Sequence, residues 1–422
     1  MEKRMKILSF AIVVTLLITS IAGAMVLLAA GKDNISTSTS LSSVRLQICG
    51  NANGDDIIDE KDIEAIQKII DGGGEISNLT DANQDGVIDQ KDIDQVEAII
   101  DHEETRLYYV DIDGHNASVH TPVNSIIAIY NVYVEMVRAL NATDLIVGVD
   151  DSISDYDTYF PELQSLPSVG NRFTPDVEQI LSINPDVYFT GTRSYYDSEL
   201  ESKLAANGTD IDVVRLPCWE YGLLPQGMLT LGYILGHEDE AFEYLEWRDA
   251  ILNRITEKVG KIAEENRTTS LGTFEGCAVS HGSGAFELME IAGSNNIAGV
   301  LSSTGIYPTI EPEWVIENDP DVIVTWAVAG FYKGADISII QEQLDSTREA
   351  YRAATAVAEG RTYVMAWDIT CGPSDIISVA YYAKWFYPDL FTDLDPAALH
   401  QEYIDRFCGG IDLDVSTGAF VL

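Results

Sequence analysis

Basic residues are scarce. Lysine and arginine together number 25, against 68 aspartates and glutamates, for a formal charge of −43 over 422 residues. A field of that sign repels phosphate backbones and anionic lipid surfaces, which excludes nucleic acid as a partner. Histidine is rare at six residues, and cysteine at five. No two cysteines have the CxxC spacing of a zinc or redox motif. GxSxG and HExxH are absent, and no glycine run completes GxGxxG. The usual hydrolase, zinc-protease and dinucleotide signatures are therefore missing. Apolar residues are not scarce: at 46% hydrophobic and 9% aromatic the chain can bury a sizeable core.

Long uncharged runs are missing except at the start. After Lys3, Arg4 and Lys6, the 25 residues Ile7–Gly31 carry no charge. That length can span a bilayer, and Ala22–Ala24 (AGA) resembles a cleavage site. Residues 1–31 are thus a signal peptide or an N-terminal membrane anchor. Both place the remainder outside the cytoplasm, in agreement with the basic residues ahead of the run. Residues 32–44 are a Ser/Thr-rich tether.

Two near copies of one segment follow, NANGDDIIDEKD from Asn51 and DANQDGVIDQKD from Asp81. Calcium takes six or seven oxygens from a tight twelve-residue loop, at positions 1, 3, 5, 7, 9 and 12 with a turn at 6. Asp81, Asn83, Asp85, the Val87 carbonyl, Asp89 and Asp92 fill that set, with Gly86 at the turn. Asn51, Asn53, Asp55, the Ile57 carbonyl, Asp59 and Asp62 fill it again, with Asp56 in place of the turn glycine. Two loop–helix units can cover one another's apolar faces, and two ions would replace core that so short a segment lacks. The paired loops of residues 45–102 resemble those of a dockerin. That resemblance implies a cohesin-bearing partner contacting Glu60–Lys61 and Gln90–Lys91, where the family's small hydroxyl residues are replaced. A purely structural calcium spacer is the alternative.

From residue 119 onward short apolar runs alternate with amphipathic stretches: SIIAI, DLIVGVD, DVYFTG, DVVRLP, SLGTFEG, DVIVTW and TYVMAWD. This rhythm implies an α/β fold with mostly parallel sheets. Residues 238–265 interrupt it with one long helical pattern, which predicts two lobes, 119–237 and 266–410, joined by a rod. Four segments then become specific. PSVGNRFTPDVEQILSINPDVYFTG, FELMEIAGSNNIAG, PTIEPEWVIENDPDVIVTW and AKWFYPDLFTDLDPAALHQEY resemble, in order, motifs of ABC-transporter substrate-binding proteins of the metal-chelate class. The resemblance, archaeal-like at its C-terminal end, implies two Rossmann-like lobes on a rigid helix. It implies an extracytoplasmic binder that delivers an iron complex, haem or cobalamin-type chelate to a permease dimer. It also implies one transporter-docking acid per lobe, Glu178 and Glu313, which occupy matching places in DVEQILSINPDV and EPEWVIENDPDV.

Ligands meet such sheets at the loops after the carboxyl ends of strands. Those loops carry Tyr130, Arg193, Tyr195, Tyr196, Trp219, Glu220, His281, Trp326, Phe331 and Trp367. Aromatics after nearly every strand suit a large flat ligand. Basic residues are few, namely Arg193, Lys333 and Arg215, which disfavours a strongly anionic ligand such as molybdate or tungstate without removing it as the alternative. Cys218, Cys277 and Cys371 fall on the same loops. A Cys277–Cys371 disulfide, metal ligation with His281, and free buried thiols all remain open. Two other function classes stay open: a metal-dependent cell-surface enzyme using His281, Cys277 and Cys371, and a dockerin-bearing scaffold or adhesion subunit.

Overall fold

The structure, a computed structural model, describes residues 45–422. The uncharged N-terminal run and the tether lie outside the described residues, and among those described no helix is long and apolar enough to cross a membrane.

The duplicated segment forms two loop–helix units, with helices α1 (Glu60–Ile70) and α2 (Gln90–Ile100) packed together. Each helix opens on a capping box. Asp59 and Asp89 accept from the N–H groups of the first turn, and Asp62 and Asp92 reach back to the cap. The joint apolar face buries Ile58, Ile66, Ala82, Ile93 and Val96. This core continues into an antiparallel hairpin, β1 (Thr105–Val110) and β2 (Asn116–Thr121), through Leu46, Ile48, Leu107 and Tyr109. The hairpin lies mostly between the segments assigned to the calcium module, 45–102, and to the first lobe, whose expected start at 119 falls inside β2. It therefore seals the module onto the rest of the chain.

A four-stranded parallel sheet comes next, built from β3 (Ile126–Ala128), helix α3 (Tyr130–Ala139) and β4 (Ile146–Val149). A two-stranded ribbon, β5 (Gly170–Asn171) and β6 (Thr174–Pro175), precedes α4 (Val177–Ile183), β7 (Val187–Thr190), α5 (Leu200–Ala206) and β8 (Asp212–Arg215). Spatial order is β4-β3-β7-β8. β7 is buried at every position, which accounts for its unalternating apolar run. Two helices follow, α6 (Leu224–Leu235) and α7 (Glu238–Val259), packed on each other.

The second sheet comprises β9 (Thr269–Phe274), β10 (Cys277–Ala278), β11 (Asn295–Asn296), β12 (Val322–Ala327) and β13 (Thr362–Ala366). Its order is β10-β9-β12-β13, with β11 also on β9, and only β10 runs antiparallel. Helices α8 (Gly284–Ile291), α9 (Pro312–Asn318), α10 (Ile337–Ala350), α11 (Thr355–Ala358), α12 (Asp375–Phe386) and α13 (Pro396–Phe407) complete the chain. The mixed α/β class is the one the sequence implies.

The connecting helix is shorter than the 238–265 pattern. It stops at Val259, where Gly260 caps it by donating to the Thr256 carbonyl at 2.8 Å. Residues beyond Gly260 turn away, so Ile262 leaves the helical stripe and Glu264–Asn266 forms a separate single turn. The remaining 22 residues span about 33 Å at 1.5 Å each.

Candidate functional site

Tyr130 sits at the carboxyl end of β3 with φ of 61°, in the left-handed region that a tyrosine adopts only under constraint. Its N–H donates to Asp150 Oδ1 at 3.0 Å, which holds the turn. Above it lies the tip of the β5–β6 ribbon, where the Arg172 guanidinium covers the Tyr130 ring at 4.1 Å and the Phe173 ring at 5.0 Å. Phe173 stands edge-on to Tyr195 at 5.3 Å. Tyr195 and Tyr196 then close on Trp219, with centroids 5.4 and 5.8 Å away. Five rings from four loops thus form one cluster, and two of them, Tyr130 and Phe173, carry the Arg172 cation. Arg172 forms no ion pair among the described residues, and its Nε is buried without a hydrogen-bond partner.

The second half of the chain faces this cluster with Tyr307, whose hydroxyl lies 3.5 Å from Ser283 Oγ. Gly284, at the start of α8, lies so near the Trp219 carbonyl that a Cβ there would sit 3.4 Å from it. The halves also bond beneath the cleft. Tyr403 donates to Glu135 at 2.6 Å, Tyr156 to Asp368 at 3.2 Å, and Tyr244 to the Pro373 carbonyl at 2.8 Å. Burial pushes the carboxyls of Glu135 and Asp368 up to about 7, outweighing their hydrogen bonds and, at Glu135, the charge of Arg138.

Of the residues singled out by sequence, Tyr130, Tyr195, Tyr196 and Trp219 converge. Glu220 adjoins them, and burial holds its carboxyl above the usual range. The others depart from the expected cleft position. Arg193 is held by acids, with Nη1 2.6 Å from Asp111 and 2.9 Å from Asp113, and Nη2 3.0 Å from Glu201. Trp326 is fully buried in the second sheet's core, its indole N–H on the Tyr382 hydroxyl at 3.2 Å. Trp367 packs between Phe274 and Trp326. Phe331 is buried against Tyr159 from the other half, rings parallel at 3.6 Å, so it joins the halves instead of lining the cleft. His281 is exposed beside Phe286 and the α8 acids, away from Cys277 and Cys371. All five cysteines are unbridged: Cys277 contacts Thr309, while Cys371 is half-buried. No metal-holding group of three histidine, cysteine or carboxylate side chains occurs among the described residues.

Arg172, Phe173 and Tyr307 were not among the sequence candidates. For the first two a signal exists. Arg-Phe stands as a two-residue tip between Gly170–Asn171 and Thr174–Pro175, a turn pattern inside a segment already notable for its motif. A cavity of about 670 Å³ also opens elsewhere, between Asn141, Asp144, Glu162 and Gly409–Asp412. It has no aromatic lining and shares no residue with the cluster, so the cluster is the better candidate.

Residues 126–367, more than half of the chain, match the family described as periplasmic binding protein. The chain belongs to that family. Among its relatives is the molybdate-binding protein MolA of Haemophilus influenzae, 21% identical over 316 residues covering 68% of this chain and 86% of MolA. Another is a cobalamin-binding protein of Halobacterium salinarum, 25% identical over 235 residues, 53% of this chain and 56% of that one. This chain thus spans little more than half of the Halobacterium relative. The TroA-like periplasmic binding protein FepB of Veillonella parvula shares the fold, with 22% identity and a TM-score of 0.63 over 75% of this chain and 99% of FepB. As in that family, the protein is a solute binder, which implies an extracytoplasmic place and a permease partner.

Two features of this periplasmic binding protein lie outside the cleft. Glu178 and Glu313 both occupy the second position of seven-residue helices, α4 and α9, and both are exposed. Each helix ends on a left-handed residue before proline, Asn184 and Asp319. The two calcium-type loops share most of their bonding, although Asp81 accepts from the Asp85 and Gly86 N–H groups and Asn51 does not. Asn53 and Asn83 donate their N–H to Asp62 and Asp92, and Asp55 and Asp85 to Asn53 and Asn83. Asp56 takes φ of 71°, near the 87° of Gly86, so the missing glycine does not alter the turn. Its carboxylate is instead the anchor for the Arg45 and Leu46 N–H groups. Asn51 is buried, with Nδ2 on the Leu46 carbonyl and Oδ1 without a partner. Burial, reinforced by the charges of Asp55 and Asp59, raises the Asp62 carboxyl to about 6.

Proposed function

We propose that the protein captures a metal chelate with a large unsaturated face and limited negative charge, such as a ferric siderophore, haem or a corrinoid, and delivers it to an ABC importer. The ring cluster of Tyr130, Phe173, Tyr195, Tyr196 and Trp219 around Arg172 carries this reading. Rings supply apolar contact at little entropic cost, and one unpaired guanidinium complements a carboxylate or hydroxamate edge. Two lobes on the α7 rod would hold the ligand between them. The relatives' names support the class, since one binds cobalamin. A bare oxyanion is the second reading, favoured by the unpartnered Arg172 Nε and by the kinship with MolA. Titration with cyanocobalamin, haemin, ferrichrome and molybdate, followed by tryptophan fluorescence and native mass spectrometry, tests the two. One chelate should bind and quench, and Trp219→Ala should weaken it by about 1–3 kcal/mol, the scale of a packed aromatic anchor. Binding of molybdate alone would select the second reading.

Residues 45–102 are proposed to be a dockerin-like module with two calcium sites, formed by Asn51, Asn53, Asp55, Ile57, Asp59 and Asp62, and by Asp81, Asn83, Asp85, Val87, Asp89 and Asp92. The bonds shared by the two loops and the orphaned Asn51 Oδ1 support it. Calorimetry on the full chain should give about two sites, the second loop tighter because Asp81 adds a charge that Asn51 lacks. An absence of calcium-dependent heat would remove the module's metal role. A cohesin partner would meet the exposed Glu60–Lys61 and Gln90–Lys91.

A further inference from the structure

The turn of the β1–β2 hairpin reaches the cleft wall, although the hairpin precedes the family-matching residues 126–367. Asp113 accepts from the Arg193 N–H at 2.9 Å and from the Thr192 hydroxyl, and its Oδ2 lies 2.9 Å from Arg193 Nη1. Asp111, almost wholly buried, takes the same Nη1 at 2.6 Å. Glu201 links Arg193 to Arg215, 3.0 Å from the first and 2.7 Å from the second. Arg215 is also buried. It donates to the Gly191 carbonyl at 2.7 Å and the Asp197 carbonyl at 2.6 Å, while its own carbonyl accepts from Ile112 at 3.1 Å.

The loop from Gly191 to Asp197 is therefore pinned at both ends by Arg215 and near its start by the hairpin acids. Tyr195 and Tyr196 hang between the pins, and they are the rings that meet Trp219. Arg215 and Glu201 form a bidentate pair, and Arg193 spreads single bonds over three carboxylates; such half-desolvated guanidinium–carboxylate contacts fix geometry more firmly than exposed pairs do. Burial alone would raise the Asp113 carboxyl, but its bonds from Thr192 and Arg193 outweigh that and leave it below the usual range. Asp113 is thus charged at neutral pH.

We propose that the N-terminal hairpin is a working part of the ligand site: Asp111 and Asp113 are positioning residues that hold Arg193, and through it the Tyr195–Tyr196 wall, in the shape that stacks on Trp219. The proposal rests on the reading of the ring cluster as the ligand site. It means that part of this chain's ligand specificity is built by a segment the family match does not include.

The test uses the full chain labelled with 5-fluorotryptophan, with the Trp219 fluorine resonance assigned by its loss in Trp219→Phe. In Asp111→Asn/Asp113→Asn the Trp219 line should shift or broaden, while the lines of the distant Trp247 and Trp385 stay in place. Affinity for whichever of cyanocobalamin, haemin, ferrichrome or molybdate binds the unaltered chain should fall about tenfold, mainly through faster release. Adding Arg193→Gln, which replaces the ionic clamp by neutral hydrogen bonds, should restore part of both. A Trp219 line that stays fixed, or that moves only together with the Trp247 and Trp385 lines, overturns the clamp. If the four probes leave the Trp219 line of the unaltered chain untouched, the ligand-site reading itself falls, whatever the variant does.

Discussion

At the scale of single residues, burial decides roles that residue type leaves open. His400 is fully buried between Phe331 and Phe420, at centroid distances of 6.0 and 4.7 Å, and neither ring nitrogen has a partner. Desolvation lowers its pKa from 6.5 to about 3. The folded value lies below the unfolded one, so the fold favours the neutral ring. Its contribution is fully present above pH 6.5 and is lost as pH falls towards 3. At pH 5 the loss is about 2 kcal/mol, from roughly 1.5 pH units at 1.36 kcal/mol each. His400→Phe should remove that component. Urea unfolding at pH 7.5 and pH 5 should show the unaltered protein losing about 2 kcal/mol more than the variant. Equal losses would mean that the ring finds a partner when protonated. The tryptophans show the same dependence on burial. Trp219, Trp326 and Trp367 all stand at the ends of apolar runs and are indistinguishable in sequence, although Trp326 proves to lie inside β12. Only packing sends Trp326 into the core and leaves Trp219 half-exposed beside Arg172's ring cluster.

At the scale of elements, local sequence carries much of the answer. The helix α4 and its counterpart α9 were legible as a matched pair because both read Glu, then apolar positions, then Asn/Asp-Pro-Asp. The structure gives both seven residues and a left-handed stop. A two-fold permease partner needs one anchor per half, and exposed charges chiefly set orientation and encounter rate. Glu178→Arg with Glu313→Arg should leave the melting temperature and chelate affinity nearly unchanged while abolishing ligand-stimulated ATP hydrolysis by the reconstituted transporter. Surviving stimulation would confine both glutamates to stabilising their own helix N-termini. The end of α7 was less legible. Apolar spacing continued to Ile262, but Gly260 interrupts helix geometry more strongly than periodicity sustains it.

At the scale of the molecule, the two halves are tied in several places besides α7. Tyr159 stacks on Phe331 and Tyr403 bonds Glu135, while α7 itself adds Arg248, 3.5 Å from Asp375 and over the Tyr221 ring. Gly372 lies so close to Val132 that a Cβ there would stand 2.5 Å from its Cγ1. A single helix with such ties resists the hinge bending that crossing strands permit. The small-angle scattering radius should therefore change by less than about 1 Å when the chelate is added, in contrast to hinge-closing binders. A larger contraction would show that these ties open in the free protein.

The sequence by itself determined the α/β class, the strands β3, β4, β7, β8, β9, β12 and β13, and the two matched loop–helix units, because periodicity, capping and turn chemistry act between residues close in the chain. It also placed Tyr130, Tyr195, Tyr196 and Trp219 at strand ends. Tertiary structure alone decided which charges are free. Arg193 reads as a ligand-facing cation until Asp111 and Asp113, some eighty positions earlier, are found on it. Arg172 stays uncommitted because no acid approaches within ion-pair distance among the described residues. Charge neutralisation depends on distance in space, and only the fold brings the hairpin, the ribbon tip and the cleft loop together.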